Sequence, residues 1–327
     1  MHRRAEFGGV MSRRVISRAR ASALLFGGAA LCAITSPGRA QTTATIRVAS
    51  IPIDAAAQVY YAKEMGFFAQ AGIDVQIQTL PSGMADAVAG NAVDIGYVSV
   101  DTLVLAHQRK IPFVVIAPAS EYVSSLTGHI AGLVLPANSS ISHAKDLSGK
   151  TIAAPLNTLA EYGTRSWIDN NGGDSSTIKF IDMTFAAMPA ALSAGRIDGA
   201  WETEPFLTVA KGQGHVLGYG FESIGKQFVI GAWFSTSQWA HDHPDLVSHF
   251  AAVMRDTAVW ANKNHPQSGE ILEKYAKIDP TVVATMTRSQ YVEKFNVATM
   301  QPLIDVASRY NKIATFPAQE LIYAPSR

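Results

Sequence analysis

An α/β fold built as two βα lobes of one plan, facing each other across a cleft, is what this sequence predicts. Three observations carry that expectation. Short apolar runs of strand length alternate with helix-length segments, an order that implies parallel sheets covered on both faces. The order restarts near residue 151. Matching features also recur at offsets of 103 to 105: Pro52-x-Asp54-x-x-Ala57 returns as Pro155-x-Asn157-x-x-Ala160, residues 75–77 as 178–180, Ala89-Gly90 as Ala194-Gly195, and Val93-Asp94 as Ile197-Asp198. With 327 residues, 48% of them hydrophobic, the chain is long enough to bury a large core.

The first forty residues read differently from the rest. They carry Arg3, Arg4, Arg13, Arg14, Arg18 and Arg20 against one acid, Glu6, followed by a weakly apolar run over 21–34. Gly38 and Ala40 then supply small residues ahead of Gln41, so residues 1–40 are expected to be a signal peptide. Arg13-Arg14 and Ile16 resemble a twin-arginine signal, while Ser17 and the extra basic residues keep a Sec route open; the start is either Met1 or Met11. Cys32, the only cysteine, falls inside this segment. The mature chain then has no thiol for a disulfide, a metal or a nucleophile. No later stretch reaches the ~18 apolar residues of a membrane span. A net charge of +1 gives no electrostatic reason to bind nucleic acid or anionic lipid. The expectation is a soluble, periplasmic protein.

In the first lobe the pattern predicts strands over 45–50, 75–79, 95–98 and 113–117. A helix over 54–70 places Val59, Ala62, Met65 and Ala69 near one face, and Gly72 ends it. Shorter helices follow over 84–89 and 102–109. The second lobe repeats this with strands over 151–154, 178–181, 199–203 and 215–218 and helices over 159–170, 188–194 and 204–211. From Pro244 onward the chain reads as helical, over 245–264, 268–275, 281–289 and 300–310, with Pro266, Pro280 and Pro302 as punctuation.

Each lobe has a strand that runs into proline, then Asp54 or Asn157, then a helix. Both residues are expected N-caps. Ligands of parallel α/β sheets lie beyond the carboxyl ends of the strands, so both helix starts face the cleft with their free amides. The stretch ALSAGRIDGAWETEP, 191–205, forms the third such corner of the second lobe and brings Trp201, Glu202, Thr203 and Glu204 to the cleft edge. Its counterpart is 97–102, from Tyr97 to Thr102, so an aromatic and a carboxylate recur at both corners.

The candidate ligand-binding residues are Asp54, Ser82, Ser99, Asp101, Thr102, Glu121, Tyr122, Asn157, Thr158, Trp201, Glu202 and Glu204. This set is poor in positive charge, whereas a multiply charged anion wants a bidentate arginine. Helix amides suit a sulfonate or carboxylate, the acids suit an amine or ring N–H, and Trp201 or Tyr122 suits a ring, so both ligand classes stay open. The sequence has no G-x-S-x-G, H-E-x-x-H or Walker A motif, and His241-Asp242-His243 reads as a helix start. No catalytic residue, metal or cofactor is expected.

Ala62-Lys63-Glu64-Met65-Gly66-Phe67-Phe68 and Ala71-Gly72-Ile73-Asp74-Val75 resemble the opening of substrate-binding proteins of ABC importers, in the nitrate/sulfonate/taurine and thiamine-pyrimidine (NMT1/THI5-like) class. Asp146-Leu147-x-Gly149-Lys150-x-Ile152-Ala153 and Glu204-Pro205-Phe206 resemble later signatures of that class. One departure is Thr203, where the family often places an aromatic. The resemblance implies a type II periplasmic binding protein fold, with lobe 1 over 41–130 plus 230–327 and lobe 2 over 131–229. Two connections would cross near 129–132 and 224–230, and the lobes would close by hinge motion. It further implies a monomer that captures a small organic molecule (a sulfonate, an aromatic acid or a nitrogen heterocycle such as a pyrimidine) and delivers it to an ABC permease with its own ATPase subunit. A solute sensor without transport, or a pyrimidine-synthesis enzyme of the same superfamily, is the alternative; the cysteine-free mature chain and the export signal speak against the enzyme.

Overall fold

The structure, a computed structural model, describes residues 44–126 and 128–325. The expected signal peptide, Cys32 and both candidate start methionines lie outside the described residues.

Among the described residues thirteen strands follow in order: β1 (Ala44–Ser50), β2 (Ile73–Thr79), β3 (Ile95–Ser99), β4 (Phe113–Pro118), β5 (Ser120–Val123), β6 (Ala131–Pro136), β7 (Thr151–Ala154), β8 (Lys179–Asp182), β9 (Gly199–Thr203), β10 (Gly214–Gly218), β11 (Gln227–Val229), β12 (Gly231–Thr236) and β13 (Gln290–Tyr291). Two five-stranded sheets result, ordered β2-β1-β3-β12-β4 and β8-β7-β9-β6-β10, each backed by helices. The orders are the same once β12 is matched with β6. In each sheet that fourth strand runs antiparallel to its neighbours, so the sheets are mixed and not purely parallel as the sequence pattern suggests. The sequence pattern missed both strands: β12 and β6 are almost wholly buried, and short apolar runs without alternation give no period to read.

The internal repeat has a physical basis, with a spacing of 104 residues for β1/β7 and β3/β9 and of 103 for β2/β8, where Ile77 and Phe180 pair with the equivalent Val48 and Ile152. Val48 pairs with Ile95 in the first sheet, and Ile152 with Gly199 in the second. The Asp94 carboxylate accepts the Arg47 amide at 2.7 Å, and the Asp198 carboxylate accepts the Thr151 amide at 2.8 Å. Each acid therefore locks the start of one strand against its neighbour. The left-handed residue after the preceding helix is Asn91 (φ 56°) in one lobe and Gly195 (φ 64°) in the other. The spacing of 104 matches Asn91, and not Gly90, with Gly195.

Two connections join the sheets. One leaves β4 through β5 to β6; the other leaves β10 through β11 to β12. β5 and β11 pair antiparallel, with Tyr122 opposite Phe228, and β13 adds a third strand to this ribbon. After β12, the helix Pro244–Ala261 packs on the helix Gln58–Glu64 of the first lobe, where the buried Gln58 amide donates to Met254 O at 2.6 Å and its oxygen accepts from Trp233 Nε1 at 2.8 Å.

The expected helix over 54–70 is three pieces: a 3-10 turn Asp54–Ala56, the helix Gln58–Glu64, and a last turn Phe67–Gln70 beyond Gly66, whose φ of 73° breaks the run. Neither expected N-cap holds. The Asp54 side chain caps nothing, and the helix Leu159–Asn170 is capped by Thr158, whose Oγ1 accepts the Ala160 amide at 3.2 Å. Asn157, one residue earlier, is exposed at φ 57°, and its amide donates to Glu161.

Candidate functional site

The carboxyl ends of β1, β3, β7, β8 and β9 converge on a cavity of about 270 Å³ that draws its walls from both lobes. A cavity of ~150 Å³ accepts benzene, so this one has room for a substituted ring. Ile51, Ile53, Met84 and Tyr97 face Met183, Phe185, Trp201 and Phe221, with Ile230 from the crossing segment. Hydroxyls come from Ser82, Ser99 and Thr102 on one side and Thr158, Thr184 and Thr203 on the other. Asp182 is the charged residue of the lining; no lysine, arginine or histidine takes part.

The 104-residue spacing runs into this wall. Tyr97 and Trp201 are equivalent, as are Ser99 and Thr203, and all four line the cavity. Each lobe thus offers an aromatic and, two residues on, a hydroxyl from the end of its third strand. Trp201 is 1% exposed and lies against Phe221 at 5.7 Å. Its indole is held by glycines: a Cβ on Gly220 would sit 2.6 Å from the ring, and one on Gly163 3.3 Å.

Five of the sequence candidates, Ser82, Ser99, Thr102, Thr158 and Trp201, come together on the lining. Asp101 sits directly behind it. Its side chain is fully buried, Ser99 Oγ donates to its Oδ1, and Oδ2 has no hydrogen-bond partner. Burial pushes its pKa up to about 7, partly offset by Ser99 and by the amides of Asp101 itself and of Leu159, the first residue of the helix Leu159–Asn170 in the facing lobe.

The other candidates lie off the lining. Asp54 is buried in an ion pair with Arg288 (2.9 Å) and accepts further bonds from Tyr61 Oη and the Ser289 amide. Glu204 accepts from the Thr208 amide and hydroxyl, both at 3.0 Å, and its backbone oxygen accepts the Asp54 amide at 3.2 Å, one lobe touching the other. Tyr122 packs behind Phe221 and Phe228 at 5.5 and 5.4 Å. Glu121 accepts from Gln227 within the crossing ribbon, at 2.9 Å. Glu202 alternates with Trp201 and Thr203 and so points to the opposite face of its sheet. It is fully buried, neither carboxyl oxygen has a partner, and burial, with Glu204 nearby, raises its pKa well above the ordinary value.

Met183, Phe185, Phe221 and Ile230 entered the lining unannounced, since apolar side chains on loops carry no chemical signature. Tyr97 was legible as the counterpart of Trp201. Among the described residues no cluster of three or more His, Cys, Asp or Glu is arranged to hold a metal ion, and no helix is long and apolar enough to cross a membrane.

A sequence model described as NMT1/THI5 like matches residues 55–268, more than half of the chain. The chain belongs to the NMT1/THI5-like family. It is 27% identical over 189 residues to the taurine-binding periplasmic protein of Escherichia coli, covering 57% of each chain. It is 27% identical over 165 residues to the formylaminopyrimidine-binding protein of Halalkalibacterium halodurans, covering 49% of this chain and 48% of that one. The chain thus spans about half the length of these curated relatives. Among solved structures, the periplasmic aliphatic sulphonate binding protein SsuA of Escherichia coli superposes with a TM-score of 0.69 at 16% identity, over 86% of this chain and 93% of that one. The desulfurization enzyme DSZB superposes with a TM-score of 0.65 at 12% identity, over 86% and 97%. Within the family, then, this chain has the type II periplasmic binding fold, a fold that both binding proteins and an enzyme use.

Proposed function

We propose that this protein is an extracytoplasmic solute-binding protein that captures a small organic molecule between its lobes and delivers it to an ABC import permease. One observation carries the reading: a ring-sized cavity whose equivalent aromatics, Tyr97 and Trp201, come one from each lobe. A solute in that cavity touches both sheets at once, and the β5/β11 ribbon is the element about which they would open. The names of the two relatives, one for taurine and one for a formylaminopyrimidine, support solute binding and bracket the class, from sulfonates to nitrogen heterocycles. Periplasmic location, by the signal over residues 1–40, belongs to the same proposal.

A second reading, that the chain is an enzyme, has only the shared fold with DSZB in its favour. Ser99 lies beside the Asp101 carboxylate at the lining, so turnover separates the two readings: the binding reading expects ligand to be released unchanged. A thermal-shift screen of the chain from Gln41 onward tests this. Binding to the folded state stabilises it by RT ln(1 + [L]/Kd), about 2.7 kcal/mol at a hundredfold excess, and a confirmed hit should be recovered intact after prolonged incubation. Turnover of the hit would count for the enzyme; no hit among sulfonates, aromatic acids, amines and heterocycles would end the solute-binding reading.

A further inference from the structure

The hydroxyls that line the cavity are not equivalent in what they offer a ligand. Ser99 Oγ donates its proton to Asp101 Oδ1. Thr203 Oγ1 donates to Ile130 O at 3.2 Å, and Thr158 Oγ1 donates to Pro155 O at 2.7 Å. A hydroxyl has one proton and two lone pairs. With the proton committed to the protein, Ser99 and Thr203 have only lone pairs left to offer a ligand, while Thr158 also uses one lone pair to accept the Ala160 amide at 3.2 Å. Asp182 is the acid of the lining; it is exposed, one of its carboxylate oxygens accepts the Leu156 amide at 3.1 Å, and among the described residues no basic side chain lines the cavity. Ser82, Thr102 and Thr184 keep uncommitted hydroxyls.

Asp101 is the centre of this arrangement. It lies in the first turn of the helix Val100–Gln108 of one lobe, whose Thr102 shares the cavity wall with Thr158, Leu159 and Ala160 at the start of the helix Leu159–Asn170 of the other lobe. Two helix amino termini thus meet where an anionic head group would be expected to dock. The chain has placed its own carboxylate there, fully buried, with Oδ2 unpartnered.

We propose that Asp101, acting through Ser99 and by occupying the space between the two helix amino termini, sets the specificity of the cavity for ligands that donate hydrogen bonds from nitrogen (amines, amidines or ring N–H groups) and against ligands whose only polar groups are anionic acceptors. This rests on the solute-binding reading and narrows it. Sulfonates and carboxylates without a donor meet the lone pairs of Ser99 and Thr203 and a buried negative charge, and must turn to the free hydroxyls of Ser82, Thr102 and Thr184 for donors; groups left unpaired make hydrogen-bonding sites discriminate strongly. Asp101 is a positioning residue: it fixes the direction of the Ser99 hydroxyl and the sign of the local field.

The test is a binding comparison at pH 8, where Asp101 is ionised, with matched probes. Benzamidine and 4-aminopyrimidine form the donor arm; benzoate, benzenesulfonate and ethanesulfonate form the acceptor arm; wider panels of each class extend both. Hits confined to the donor arm support the proposal. Acceptor-only compounds that bind as tightly as any donor overturn it while leaving solute capture intact, whereas no hit in either arm overturns solute capture itself. Asp101→Asn and Ser99→Ala are then measured, with circular dichroism to confirm folding. For Asp101→Asn the expected result is a 10- to 100-fold weaker donor hit, the scale of a charge-assisted hydrogen bond, together with tighter acceptor binding. Ser99→Ala should weaken the donor hit as well. Misfolding or loosened packing would weaken both arms together, so opposite changes in the two arms mark the specificity role. Unchanged donor affinity in both variants, or parallel loss in both arms, overturns it.

Discussion

At the scale of the residue, the second lobe and the cleft wall hold two carboxylates with opposite prospects. Glu202 has no counterpart acid in the first lobe: at the 104-residue spacing its equivalent is Val98, an apolar residue. Nothing in the structure compensates the burial of Glu202, so Glu202→Met should raise the thermal midpoint at pH 8, because an apolar side chain of similar length removes an unpaired polar group from the interior. Asp101 keeps one partner, Ser99 on Oδ1, and sits at the cavity wall with Oδ2 unpaired. Its pKa is raised from 3.8 to about 7 in the folded protein. The folded state therefore binds a proton between those values that the unfolded state has released, and stability falls as pH rises through that window. Below pH 4 both states are protonated and the cost vanishes; above 7 it is fully present. Asp101→Asn abolishes this slope. Chemical denaturation of wild type and variant should show the difference moving in favour of the variant by up to about 4 kcal/mol between pH 4 and pH 8. A pH-independent difference would show that Asp101 titrates normally.

At the scale of the element, the end of the third strand in each lobe does most of the positioning. β9 delivers Trp201 and Thr203 to the cavity, and Gly220, in the turn after β10, lets the indole lie flat against the backbone. Gly220→Ala places a methyl group inside contact distance of both the ring and Gly163 O, each at 2.6 Å. Overpacking of this kind costs about 1–3 kcal/mol, and the indole borders the cavity. The expected outcome is a lower midpoint by calorimetry and weaker binding of any ligand found in the screen; full retention of both would mean the ring is not fixed by this glycine. Much of this level was legible in the sequence. The strand over 199–203, the helix over 159–170 and the corner that carries Trp201 were readable because glycine, aspartate and proline punctuate them. Asp54 and Asn157 misled, since a proline followed by a capping residue looks the same whether the side chain caps a helix or, as with Asp54, answers a distant arginine. Arg288 lies 234 positions away, and no local pattern announces such a partner. Glu202 misled differently: strand alternation turned it away from the cleft, and a one-residue shift decides the face.

At the scale of the whole molecule, two sheets of one order face a shared cavity, and the ribbon of β5, β11 and β13 runs between them. If a captured solute holds the lobes together, the ribbon should be quieter in its presence. Hydrogen exchange at residues 120–123 and 227–229 is expected to slow when ligand is saturating, along with the contact between the Asp54 amide and Glu204 O. Protection confined to the cavity wall, with the ribbon unchanged, would argue that the solute binds without engaging both lobes.

The place of β12 also sets the order in which the strands of the two sheets become available as the chain is made. β12 fills the gap between β3 and β4, yet it follows every strand of the other sheet in the chain. The second sheet is contiguous, from β6 to β10, and is complete as soon as residue 218 is free. The first must wait without the strand between β3 and β4, the facing edges of both unpaired, until residue 236 arrives. The half that begins first is thus finished last, and a newly made chain spends that interval with one closed lobe and one unfinished apolar edge.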